Sequence, residues 1–154
     1  MNAYAGEMPN QLLRLQKMHN GEKVKPTFSA NEMSRRQIAM RKIMEELKLD
    51  AAILTSYHNI CYFSDFLYCY FGRRYAFVIT DSHATTVSAG IDAGQPYRRT
   101  FGDNLTYTDW QRDNYFHALQ QLLPGVKRVG IEFDHVSIDL RRLFEGAFPG
   151  VESV

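Results

Sequence analysis

Residues 29–54, SANEMSRRQIAMRKIMEELKLDAAIL, decide the class of fold. Ser29 with Glu32 three positions later is the S-x-x-E capping box, and Met33, Met40, Met44 and Leu47 follow at helical spacing, which predicts a helix over 30–48. Ala51-Ala52-Ile53-Leu54 comes immediately after it. Four apolar residues without alternation read as a strand buried on both faces. A capped helix running into such a strand belongs to a layered α/β domain.

Working outward from this stretch, helical and strand patterns alternate. His58 to Phe63 suits a short helix. Tyr75 to Thr80 is aromatic and β-branched, ends at Asp81-Ser82 and is followed by Thr85 to Ala89, which predicts a hairpin. Residues 90–102 carry three glycines and a proline and read as a loop with one helical turn at Gln95 to Arg98. A short strand is expected at Leu105 to Tyr107. Next comes a helix capped by Asp109 or Asp113 that carries Tyr115, Leu119, Leu122 and Leu123 up to Pro124-Gly125. Arg128 to Phe133 alternates as a strand, and Ser137 caps a last helix that ends at Pro149-Gly150. The whole predicts one α/β domain with a mixed sheet. Residues 1–27 show no sustained periodicity and read as an N-terminal arm. The stop at Val151-Glu152-Ser153-Val154, just where a β-compatible stretch begins, leads us to expect a piece of a longer protein.

With 18 Lys plus Arg against 17 Asp plus Glu, the formal net charge is only +1. That leaves no surplus for sequence-independent binding to nucleic acid or anionic lipid. No apolar run has the length of a membrane helix or signal peptide, so a cytoplasmic protein is expected. Cys61 and Cys69 show no zinc-type spacing and read as reduced core thiols.

Nine of the chain's twenty aromatic residues fall between Tyr57 and Phe77. One reading is a core or a dimer interface, and exposed aromatics in this stretch predict self-association of the isolated domain. The other is a binding surface, because Phe71-Gly72-Arg73-Arg74 sets two planar guanidiniums beside an aromatic, and such a fork takes a carboxylate bidentately. Against this, both arginines can pair with the chain's own carboxylates, Asp65 being nearest in sequence. The five histidines are scattered. His58, following the buried strand, is the best placed of them. Asp103, Asp109 and Asp113 surround Tyr107 and Trp110, and helix capping accounts for these acids. No serine-hydrolase, dinucleotide-binding or phosphate-loop motif is present.

Several stretches are more specific than these patterns. Thr55-Ser56-Tyr57-His58-Asn59-Ile60, Phe63-Ser64-Asp65-Phe66-Leu67-Tyr68-Cys69, Phe71-Gly72-Arg73, Gly94-Gln95-Pro96 with Arg98-Arg99-Thr100, and Tyr107 through Phe116 closely resemble the N-terminal part of the creatinases. The creatinases, or creatine amidinohydrolases, form a branch of the creatinase/prolidase/aminopeptidase P superfamily, and the likeness runs from about Asn20 to Phe148. It implies a small mixed-sheet domain with flanking helices, ribonuclease H-like, over 28–154. It also implies a homodimeric hydrolase that converts creatine to sarcosine and urea without metal or other cofactor. In that family a C-terminal pita-bread domain supplies the general-base histidine and the glutamates that hold the guanidinium group. The N-terminal domain supports dimerisation and lends the partner subunit's active site an aromatic and an arginine.

By motif these two substrate-binding residues are Phe71 and Arg73. The resemblance therefore implies no catalytic residue and no metal ligand in this chain, and no activity for the chain alone. Tyr70 stands where the family pattern has a small residue and Arg74 where it has proline, and the arm is longer. Two other readings accompany this one: a stand-alone binding or dimerisation module, and the N-terminal domain of a prolidase- or aminopeptidase P-like hydrolase.

Overall fold

Leu15–Gln16 forms a two-residue strand, β1, and Ser29 starts the first helix by accepting the Glu32 N–H at 3.2 Å. This helix, α1, spans Ala30–Glu46 and stops short of the predicted 48 because Lys48 takes a left-handed φ of 55°. Met33 and Met44 are buried as their spacing predicts, and Glu32 turns its carboxylate to Arg35 and Arg36. The computed structural model, which describes residues 13–68, 72–110 and 113–154, continues with β2 (Ala51–Leu54) and α2 (Tyr57–Ser64), then the hairpin β3 (Ala76–Thr80) and β4 (Ala84–Ala89). A 3-10 turn at Gly90–Asp92 leads to α3 (Gln95–Arg99), β5 (Asp103–Tyr107), α4 (Asn114–Leu122), β6 (Arg128–Ile131), α5 (Ile138–Ala147) and β7 (Glu152–Ser153).

The seven strands form one mixed sheet in the order β1-β5-β4-β3-β2-β6-β7. The pairs β2/β6, β4/β5 and β6/β7 are parallel; β1/β5, β2/β3 and β3/β4 are antiparallel. All four residues of β2 are buried, as the run Ala51 to Leu54 predicts. Ala51 and Ile53 face Tyr115, Phe116 and Leu119 of α4 and Phe144 of α5, whereas Ala52 and Leu54 face Met44 of α1 and Ile60 of α2. Side chains as enclosed as Phe77, Ile53 and Leu119 each stabilise the fold by about 1.5–3 kcal/mol, and they come from both layers.

Much of the aromatic stretch belongs to this core. Phe66, Tyr68, Tyr75 and Phe77 are buried, with Tyr68 and Tyr75 ring centroids 4.1 Å apart, and among its described aromatics only Tyr57 and Tyr62 are counted as exposed. Cys61 is free but half-buried rather than a core residue, donating to Phe66 O at 3.3 Å; Cys69 lies outside the described residues.

Part of the stretch set apart as an arm lies along the sheet edge. β1 pairs Leu15 with Tyr107, His19 stacks on Tyr97 at 4.1 Å, and the Lys23 ammonium donates to the carbonyls of Tyr97, Thr100 and Gly102 at 2.6–3.0 Å. Gly94 leaves room for the arm there: a Cβ would stand 1.6 Å from Asn20 Oδ1, and the Asn20 side chain would have to move.

Two polar constructions hold the sheet. Asn104 is fully buried, and its amide joins Thr86 Oγ1 (2.9 Å), Ser88 Oγ (3.1 Å) and Thr106 Oγ1 (3.1 Å) across β4 and β5. At the other end of the sheet the Glu132 carboxylate, just beyond β6, accepts from Ser56 N (2.7 Å), Ser56 Oγ (2.6 Å), Thr55 N and Asn59 Nδ2. It thereby ties the β2–α2 corner, with the N-terminus of α2, to the loop after β6. Burial pushes the Glu132 pKa up, but these hydrogen bonds together outweigh it and hold the carboxyl below its ordinary value.

Asn104→Ala removes the amide that three buried hydroxyls share and leaves them only longer contacts, such as Thr86 Oγ1 to Asp103 O at 3.2 Å and Ser88 Oγ to Thr106 Oγ1 at 3.4 Å. Denaturant titration should show a loss of roughly 2–4 kcal/mol, against about 1 kcal/mol for Ser88→Ala. Because folding lowers the Glu132 pKa, its stabilisation is complete above the ordinary carboxylate value of 4.5 and is lost as the pH falls through the lower, folded value. Acid titration of wild type and Glu132→Gln should therefore give curves whose stability difference shrinks below about pH 4.5. A constant difference down to pH 2 would contradict the clamp.

Candidate functional site

Since β2, β4, β5 and β6 run the same way, their carboxyl ends gather at one edge of the sheet, together with the amino end of β3. A cavity of about 620 Å³ opens at this edge. Arg73, Arg74 and Asp109 line it on the β3 and β5 side, and Thr55, His135 and Ser137 on the β2 and β6 side. The buried tyrosines Tyr75, Tyr107 and Tyr115 also line it.

The arginine wall is built from the sequence upward. Gly72 has φ 73°, a left-handed conformation that side chains strain to adopt, and it turns the chain into Arg73. Arg73 Nε lies 2.7 Å from Asp109 Oδ1, and Asp109 Oδ2 accepts the Ile91 N–H at 3.0 Å. The Arg73 and Asp109 side chains are 45% and 27% exposed, and a pair this open contributes about 0.2–1 kcal/mol to stability, so its chief effect is on orientation. The Tyr107 hydroxyl holds the next residue by its backbone, donating to Arg74 O at 3.0 Å and accepting from Arg74 N at 3.2 Å. Burial raises the Tyr107 pKa to about 12, so this hydroxyl keeps its proton at neutral pH. Tyr75 donates to Asp92 Oδ2 at 2.7 Å, and burial, with Asp109 nearby, raises the Asp92 carboxyl above its usual range.

On the opposite wall Thr55 Oγ1 lies 2.9 Å from His135 Nδ1 and 3.3 Å from Glu132 Oε2. That hydroxyl carries one proton for two neighbours, which suits a structural contact better than an activated nucleophile. Among the described residues no group of three or more His, Cys, Asp or Glu is placed to hold a metal ion. The arrangement can receive a small anion at a guanidinium inside a tyrosine-lined recess.

Of the residues expected here, Arg73 lines the cavity and Phe71 lies outside the described residues. The in-chain partner of Arg73 is Asp109 rather than Asp65, which caps α2 in a left-handed conformation and accepts the Thr27 N–H at 2.7 Å. His58 is exposed and does not line the cavity, whereas His135 does. Helix capping does not account for the acids near Trp110. Asp113 stands at the start of α4 but makes no side-chain cap; it pairs with Arg14 at 2.8 Å, and Asp103 pairs with His19 at 2.8 Å. His135 and Ser137 carried no signal in the sequence beyond a predicted helix start.

The chain matches the model of the creatinase/prolidase N-terminal domain over residues 36–154. It is 50% identical over 140 residues to a creatinase of Bacillus sp. strain B-0618, an alignment covering 88% of this chain and 34% of that protein. The chain thus spans about a third of the length of this curated relative. Its fold is shared with a proline dipeptidase from Streptococcus pneumoniae (TM-score 0.69, 18% identity, 77% of this chain and 88% of that one). An N-terminal domain of an X-Pro dipeptidase from Streptococcus pyogenes is also similar (TM-score 0.66, 14% identity, 82% and 93%). Family model, sequence identity and fold agree, and the chain belongs to the creatinase/prolidase N-terminal domain family.

Proposed function

We propose that this chain is the N-terminal domain of a creatinase, a homodimeric hydrolase of creatine to sarcosine and urea. In this reading the domain supports dimerisation and presents Arg73, with Phe71, to the substrate in the partner subunit's active site. The observation that carries it is Arg73 on the cavity wall, tied through Nε to Asp109 and still 45% exposed. The 50% identity to a creatinase favours this substrate class over the proline peptides of the structural neighbours, which share the fold at 14–18% identity.

Creatine carries a carboxylate on a small N-methylguanidine. A guanidinium fork takes that carboxylate bidentately, and an aromatic wall excludes water from the pair. General-base chemistry and recognition of the substrate guanidinium fall to the C-terminal domain of the longer protein. The domain is an anchor and the catalytic groups lie outside it, so the purified 154-residue chain should release no urea from creatine.

In the full-length protein Arg73→Ala should raise KM and lower kcat/KM about 10- to 100-fold, since a charge-assisted hydrogen-bond pair contributes about 1.5–3 kcal/mol. The melting temperature should stay within about 2 °C, as befits an exposed pair. Arg73→Lys should recover part of the loss, and Phe71→Ala should also weaken binding. Wild-type kcat/KM in Arg73→Ala, or sustained turnover by the isolated chain, would refute the proposal.

A further inference from the structure

Arg73 follows a glycine in a left-handed conformation and has a half-exposed side chain, and among the described residues the ion-pair partner of its guanidinium comes from outside its own segment. The groups that hold it come from the end of β5. Asp109 Oδ1 stands 2.7 Å from Arg73 Nε, while its other oxygen is fixed by the Ile91 N–H at 3.0 Å, at the end of β4. Two residues earlier, Tyr107 grips both backbone groups of Arg74. One strand end therefore sets both the backbone and the side chain of the arginine segment.

A guanidinium offers two hydrogen-bonding edges, one through Nε and a terminal nitrogen and one through both terminal nitrogens, and each matches a planar carboxylate. With Asp109 on the Nε side, the edge formed by the two terminal nitrogens is the one that suits an incoming carboxylate. Resting on the reading of Arg73 as the carboxylate anchor, we propose that Asp109 is a positioning residue: it holds Arg73 with that edge toward the substrate, at the cost of placing a like charge near the substrate carboxylate.

Positioning and repulsion predict opposite signs when Asp109 is removed. In the full-length protein Asp109→Ala should raise KM for creatine about 3- to 10-fold with kcat within about twofold, the loss expected when one long side chain must be ordered on binding. Asp109→Glu should restore part of it. In an Arg73→Ala background Asp109→Ala should raise KM no further and should lower it slightly, because there is no guanidinium left to position and only the like charge is removed. In the 154-residue chain, without substrate, the Arg73 Nε–H proton resonance should be distinct and slow to exchange, and should lose both properties in Asp109→Ala.

A fall in KM in Asp109→Ala would show a competitor instead of a positioning residue and overturn the proposal, as would full additivity with Arg73→Ala or an unchanged Arg73 resonance. If Arg73→Ala alone left KM unchanged while the Nε–H signal still depended on Asp109, the pair would stand and the anchor reading would fail.

Discussion

The Glu132 carboxylate is the constraint on which the cavity edge of the sheet depends. It takes donors from Thr55, Ser56 and Asn59, and so joins the corner after β2 to the loop after its parallel neighbour β6. An ionised group withdrawn from water is costly unless its lone pairs are occupied, and here backbone, hydroxyl and amide donors occupy them. The helix beginning at Tyr57 gains a negative charge at its N-terminus from the same group. The loop carrying His135 and Ser137 is thereby fixed as one wall of the cavity.

The opposite wall is held by different means. Among the described residues no deeply buried ion pair is used; an open pair between Arg73 and Asp109 and a set of tyrosine hydroxyls set the geometry. Buried phenols are raised in pKa, so each stays a neutral donor at physiological pH and the wall keeps one charge pattern. Such an open wall adds little to stability, in keeping with the binding role proposed for Arg73.

The parts legible in the sequence are those decided locally. Serine caps at Ser29 and Ser137 and the periodic runs beside them mark two helices, and the unbroken apolar run Ala51 to Leu54 marks an interior strand. Where distant segments compete for a residue, local reading fails. Leu15 and Gln16 have no strand pattern of their own, yet the free edge of β5 recruits them. Arg36 and Gln37 occupy polar helical positions but are buried, Arg36 lying 4.1 Å over the Phe28 ring and donating to Tyr62 O. The pairing of Arg73 with Asp109 was out of reach for the same reason. Strands β3, β4 and β5, a 3-10 turn and α3 separate them in sequence, the mixed topology brings their strand ends to one edge, and a capping role for Asp109 satisfied every local rule.

The most direct test is a crystal structure of the full-length protein with creatine bound. The account predicts the creatine carboxylate within about 3 Å of the terminal nitrogens of Arg73, with Asp109 still at Nε. A carboxylate bound by other groups, with Arg73 engaged by Asp109 alone, would contradict it.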